Sequence, residues 1–346
     1  MNFKELYNQK NKKELLEKLE AEDFNRKTIS FYKYIKLNDL HELRDSLYLQ
    51  WEKLNILGRV YIAPEGINAQ ISIPDNNFKP FKQGLESVPF LKNVLLKNAI
   101  IDGISFLKLV IKVKNEIVAY GLENYEYDIN NTGTHLNYKA FNQAIDEGAI
   151  VVDVRNYYEG EVGKFENAIT PNISRSKELL PEIKRLLFNH ENDKILMYCT
   201  GGIRCEKASS YLIKQGFKDV NQLDGGIIKY ANDIKKNNIK SKFIGKNFVF
   251  DFRIGEKITN DVISCCHQCN KNCDSHINCN NQCCHILFIQ CKNCNQKYNG
   301  CCSKKCANFI KLSIQEQKNL FKTGKVTFNA QATNSIRPKL KELKSS

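Results

Sequence analysis

The chain opens on a charged stretch, MNFKELYNQKNKKELLEKLE, in which only Leu15, Leu16 and Leu19 share a helical stripe, so residues 1–27 read as a helical leader. The pattern changes at Thr28. ISFYKYIKL has the β-branched and aromatic content of a strand, and LNDLHELRDSLYLQWEKLNIL repeats Leu at helical spacing after the cap-like Asn38. GRVYIAPEGINAQISI gives two strand-like runs around a Pro-Glu-Gly turn. A second helix is expected from Asn76 to Val88, and the strand-like SFLKLVIKV closes the set. The order β-α-β-β-α-β over residues 28–120 predicts a ferredoxin-like domain.

Residues 122–137 are polar, broken by Gly133, and read as a linker. Beyond them the period shifts again. A helix from Tyr138 to Glu147 is expected before the apolar run AIVVDV, a buried strand; KILMYC gives another strand ending at Cys199, and a helix is expected from near Arg204. Short strands alternating with helices predict a parallel sheet with helices on its faces, so residues 136–238 are expected to form an α/β domain. A Cys-rich module over 261–310 and a basic tail over 311–346 follow. There is no internal repeat of solenoid period.

Composition sharpens this picture at two points. The 346 residues, 42 % hydrophobic, are enough for two or three domains with real cores, which excludes a wholly disordered chain. The N-terminus lacks the apolar core of a signal peptide and no run reaches the ~18 apolar residues of a membrane span, so a cytosolic protein without a membrane is expected. Of the net charge of +14, residues 261–346 carry +9, from 13 basic and four acidic side chains. A localised basic excess suits a polyanion such as nucleic acid, although a solvated Lys-rich tail has the same composition.

Of the 14 cysteines, 12 lie between Cys265 and Cys306, and Cys199 and Cys205 stand apart. Cys199 closes a buried strand, where ligands of open α/β sheets bind. Its successors Thr200, Gly201, Gly202 and Ile203 can turn backbone N–H groups inward and, with Arg204 and the helix start, make a nest that stabilises a thiolate. Four residues separate Cys199 from Arg204, one fewer than in phosphatase loops, and the smaller ring suits a single sulfur or a small group better than a phosphate. Cys205 reads equally as a packed residue or a resolving thiol.

The segment CTGGIRC resembles the active-site loop of rhodanese domains, and DVRNYYEGEVGKFENAI (153–169) resembles the segment preceding it. That resemblance implies that Cys199 is the catalytic cysteine and that Asp153 and Arg155 help to hold its loop. GRVYIAPEGINAQ, DVRNYYEGEVG, CTGGIRCEKAS and CHQCNKNCDSHINCNNQCCHILFIQC occur in this order in the bacterial rhodanese-like family of tRNA uridine hydroxylases, a resemblance that covers about residues 28–306. It implies oxygen-dependent hydroxylation of the wobble uridine of tRNA to 5-hydroxyuridine, with molecular oxygen as co-substrate and the anticodon loop as partner. Two mechanisms stand open: addition of the Cys199 thiolate to C6 of uracil, or chemistry through a persulfide or oxidised sulfur. A rhodanese-type sulfurtransferase and a non-catalytic RNA-binding zinc protein are the alternatives. Tyr157 and Tyr158 are candidates to stack on a splayed base, and Glu65 and Asn68 at the Pro-Glu-Gly turn are candidates for substrate contact.

The remaining cysteines come in short-spaced pairs: Cys266 with Cys269, Cys269 with Cys273, Cys279 with Cys283, Cys291 with Cys294 and Cys302 with Cys306, with Cys301 adjacent and His267, His276 and His285 between them. Two or three residues between thiols let one turn supply two ligands, and these ten cysteines suffice for two or three four-coordinate zinc sites. A segment with so few large apolar side chains needs such a staple to fold. An iron–sulfur cluster and disulfides are the competing readings.

Overall fold

The computed structural model describes residues 11–123, 125–173, 176–328 and 340. The first ten residues of the leader and, within the basic tail, residues 329–339 and 341–346 lie outside the described residues. The remainder of the leader forms helix α1 (Lys12–Glu20), capped by the Asn11 side chain.

The N-terminal domain runs β1 (Arg26–Tyr34), α2 (Leu40–Lys53), β2 (Leu57–Ala63), β3 (Gly66–Pro74), α3 (Phe78–Ser87), β4 (Lys97–Asn98) and β5 (Leu109–Val113). Its sheet has the order β4-β1-β3-β2-β5; β3 pairs antiparallel with β1 and β2, and β5 pairs parallel with β2. The expected ferredoxin-like β-α-β-β-α-β order is present, but its last strand is the two-residue β4 beside β1; the predicted SFLKLVIKV strand is β5, added in parallel beside β2 at the opposite edge. Strand alternation sorts the residues onto two faces. Ile29, Phe31, Val60, Ile62, Ile67, Ala69 and Ile71 pack with Trp51, Phe81 and Leu85 of the helices into one core. The opposite face presents Ser30, Tyr32, Arg59, Tyr61, Asn68 and Gln70, a polar and aromatic surface turned toward the next domain.

That domain contains β6 (Thr134–Leu136), α4 (Tyr138–Asp146), β7 (Ile150–Asp153), α5 (Tyr157–Gly160), β8 (Gly163–Phe165), α6 (Leu179–Leu186), β9 (Lys194–Tyr198), α7 (Ile203–Lys214), β10 (Asp219–Leu223) and α8 (Gly226–Lys236). The strands β6-β10-β9-β7 form a parallel sheet. Alternation along β9 sends Ile195, Met197 and Cys199 into one core with α6 and α7, and Leu196 and Tyr198 into another with α4 and α8. Both faces are covered, which is why the strand reads as an unbroken apolar run.

Two strands beyond residue 238, β11 (Phe243–Phe248) and β12 (Gly255–Lys257), join β8 in an antiparallel sheet and lead into the Cys-rich module. The module holds the antiparallel pair β13 (His276–Asn278) and β14 (Leu287–Ile289), then α9 (Lys292–Tyr298) and α10 (Lys304–Phe309), with α11 (Ile314–Lys322) after it. Among the described residues no helix is long and apolar enough to cross a membrane.

Candidate active site and metal centres

Cys199 directly follows β9, and its Sγ accepts a hydrogen bond from the Gly202 N–H at 3.1 Å. Burial pushes the thiol up. The hydrogen bond from the Cys205 thiol, the Arg204 charge and the N–H groups of Arg204 and Cys205 outweigh it and bring Cys199 down to about 5. Burial and the neighbouring thiolate drive Cys205 well above its ordinary range, so Cys205 is the proton donor of the pair. At 1 % exposure Cys199 lies deeper than the partly open nucleophile that its loop suggests.

The loop keeps its shape because each polar group is engaged. Arg204 makes a two-pronged ion pair with Glu159, Nη1 to Oε1 at 2.6 Å and Nη2 to Oε2 at 2.9 Å, and donates to the Thr200 hydroxyl at 3.0 Å. Glu159 is fully buried, and although burial raises its pKa, Arg204 and Arg155 hold it below the usual carboxylate range. The Gly201 carbonyl accepts from Lys97 Nζ at 2.7 Å, and the Ile203 carbonyl from the Tyr34 hydroxyl at 3.1 Å. Gly202 has φ +96°, and a Cβ there would lie 2.9 Å from the Tyr32 hydroxyl. Gly226 lies on the other side of the loop, where a Cβ would be 2.6 Å from the Cys199 carbonyl; without one, α8 donates its Ile227 and Ile228 N–H groups to the Cys199 and Thr200 carbonyls.

Asp153 and Arg155 lie beneath this loop. The Arg155 guanidinium donates to both Asp153 carboxylate oxygens, at 2.8 and 2.7 Å, and the Tyr198 hydroxyl donates to Asp153 at 2.8 Å. Both charges are fully buried, so the pair pins the strand end that presents Cys199.

A cavity of about 450 Å³ opens between Thr200, Gly201, Ile203 and Arg204 on one side and the polar sheet face of the N-terminal domain on the other, with Phe250 and Arg253 at its margin. Lys97 projects into it from β4, its Nζ 4.2 Å from the Tyr32 ring centroid, and burial pushes its amine down to about 8 against the pull of the Cys199 thiolate and nearby carboxylates. Asn68 lines the cavity, whereas Glu65 does not. Glu65 instead accepts from the Ile117 N–H, the Tyr127 hydroxyl and, at 2.8 Å, the buried Lys207 ammonium. Tyr157 and Tyr158 are also diverted from the cavity; both are buried against Val162, Phe248 and Ile289 beside the Cys-rich module. Nothing in the loop motif announces Glu159 or Lys97, because their roles depend on a helix 40 residues upstream and on a second domain.

In the Cys-rich module the thiols of Cys266, Cys269, Cys291 and Cys294, and those of Cys279, Cys284, Cys302 and Cys306, form two groups with all sulfurs of a group within 4.8 Å of one another. The closest pairs are 3.6 Å (Cys269 to Cys291) and 3.7 Å (Cys284 to Cys302, Cys302 to Cys306). That is far beyond the ~2.05 Å of a disulfide. It matches the ~3.8 Å edge of a tetrahedron with 2.3 Å metal–sulfur bonds. Each group can hold one metal ion.

The ligand set differs from the spacing argument: Cys273, Cys283 and Cys301 drop out and Cys284 enters. Cys284, not Cys283, partners Cys279: Asn281 receives the Cys283 N–H on its side chain and the Cys284 N–H on its carbonyl, a turn that buries Cys284 and leaves Cys283 half out. Cys273, Cys283 and Cys301 belong to neither group, and no histidine joins them among the described residues. His267 faces Glu161 and His276 packs edge-on to Phe248.

A parallel sheet ending in a Cys-x4-Arg thiol loop, preceded by a ferredoxin-like domain and followed by a cysteine-ligand module, defines a rhodanese-like protein with two accessory domains. Family models agree: a UPF0176 acylphosphatase like domain matches residues 26–117, a rhodanese-like domain 137–233 and a rhodanase C-terminal domain 244–307. The chain is 52 % identical to a tRNA uridine(34) hydroxylase of Leptospira interrogans, over 98 % of this chain and 93 % of that one. It is 48 % identical to the protein of the same name from Pectobacterium atrosepticum, over 90 % and 89 %. The corresponding figures for Yersinia pestis are 49 %, 91 % and 89 %. The chain belongs to the tRNA uridine(34) hydroxylase family.

Proposed function

We propose that this protein hydroxylates C5 of the wobble uridine of tRNA, with Cys199 as the catalytic thiol and molecular oxygen as the source of the hydroxyl. The observation that carries the reading is the Cys199 thiolate, stabilised at about 5 beneath a loop that walls a cavity of about 450 Å³, with room for a nucleobase. A thiolate at neutral pH is the nucleophile that can add to C6 of uracil, shifting electron density to C5, where the new C–O bond forms. With oxygen as oxidant, one oxygen atom enters the base, the other leaves as water, and a reductant supplies two electrons. The relatives bearing the hydroxylase name support this substrate. The setting would be the cytoplasm, where tRNA is modified.

The two cysteine groups support structural zinc. Four thiolates at tetrahedral spacing leave no open position, so the ions would stabilise the module and take no part in the reaction.

The test is mass spectrometry of tRNA nucleosides from cells whose only copy is wild type or Cys199→Ala. Loss of 5-hydroxyuridine and its derivatives in the variant is expected; unchanged levels would sink the proposal. A change in thiolated nucleosides alone would instead favour sulfur transfer through a Cys199 persulfide.

A further inference from the structure

The face of the N-terminal sheet that walls the cavity is ordered in rows. Tyr32, Asn68 and Tyr61 are register partners across β1, β3 and β2, and in the next row Ser30, Gln70 and Arg59 are. The middle strand thus carries two carboxamides in line, and the row of Asn68 is flanked by aromatic rings. Gln70 donates its Nε2–H to Asn68 Oδ1. With the bond in this sense, the Asn68 amide turns its Oδ1 toward Gln70. Oδ1 keeps one lone pair, and among the described residues no acceptor takes the Nδ2–H of Asn68.

We propose that Asn68, oriented by Gln70, reads the pairing edge of an extruded uracil and is the residue that selects uridine over cytidine. This rests on the reading of a tRNA uridine as substrate. Uracil presents an N3–H donor beside the O4 acceptor, the complement of an Oδ1 acceptor beside an Nδ2–H donor. Cytosine presents a bare N3 and an amino group, which would set acceptor against acceptor and donor against donor, leaving four polar groups unpaired. The half-buried Tyr61 ring and Phe250 offer the apolar faces that single-stranded bases stack on. C5 and C6 lie on the side of the ring opposite N3, so a base held by its pairing edge on β3 turns them to the far wall, where Thr200, Gly201 and Arg204 enclose the thiolate.

The experiment uses the full-length protein and synthetic anticodon stem-loops with uridine or cytidine at the wobble position, with binding measured at a salt concentration that suppresses phosphate contacts. Wild type should hold the uridine stem-loop about tenfold or more tighter, the size of a lost pairing edge. Asn68→Ala should bind both weakly and alike, while the pH profile of Cys199 alkylation stays unchanged and reports an intact site. Gln70→Ala frees the Asn68 amide to turn over, so it should keep uridine binding and gain cytidine binding. Equal binding of the two stem-loops by wild type, or a preference that survives both substitutions, overturns the proposal. Discrimination without hydroxylated product supports it and removes the hydroxylase reading; product without discrimination does the reverse.

Discussion

Burial alone would keep Cys199 protonated. What reverses it is a short list of donors: the Cys205 thiol, the Arg204 guanidinium and loop N–H groups. Because the folded-state value is depressed to about 5, thiolate dominates above that pH and is lost below it. The rate of alkylation of Cys199 by iodoacetamide, followed by peptide mass spectrometry, should therefore be flat from neutral pH to about 6, half-maximal near 5 and lower still below that. Arg204→Ala should move the inflection upward; a wild-type inflection near the ordinary thiol value of about 8.5 would contradict the account. Cys199, Arg204 and the two glycines are legible in the sequence because the loop is local. Glu159 is not, since its partnership with Arg204 spans 45 residues. Glu159→Ala leaves the part-buried Arg204 cation without its ion-pair partner, and calorimetry should find about 1–3 kcal/mol of stability lost.

At the scale of elements, periodicity was a good guide wherever one face of an element is buried. The alternation in β1, β2 and β3 gave their strands, and the apolar run of β9 gave a strand covered on both faces. The two-residue β4 has no pattern to read, yet it carries Lys97 to the thiol loop. In the Cys-rich module short spacings find the metal-ligand character but not the partners, because with Cys283 and Cys284 adjacent only the turn at Asn281 decides which one faces inward. Elemental analysis of the purified protein should give about two zinc ions per chain. Cys284→Ser should reduce this to about one and Cys283→Ser should leave it unchanged; the opposite ranking would refute the ligand assignment.

The whole molecule works through contacts that composition and local pattern do not reveal. The N-terminal domain grips the thiol loop and its helix: Lys97 on Gly201, Tyr34 on Ile203, Tyr32 on Glu206 at 2.7 Å, and Glu65 with Glu116 on the buried Lys207. Glu65, a candidate substrate contact from its place in a turn, is thereby a junction residue. Glu65→Ala should loosen the two domains, with faster proteolysis within residues 121–133 and a stability loss of about 1–3 kcal/mol, before any change in zinc content. The charge distribution drew attention to the basic C-terminal quarter, but the cavity lies between the first two domains, a juxtaposition visible only in three dimensions. The most direct test of the central claim is isotopic. Cells that carry only this protein for wobble hydroxylation, grown under ¹⁸O₂, should contain 5-hydroxyuridine heavier by two mass units in their tRNA, and none when Cys199 is replaced by Ala. Heavy 5-hydroxyuridine persisting in the variant, or its absence from the wild type, would contradict the assignment of Cys199 as the thiol of a tRNA uridine hydroxylase.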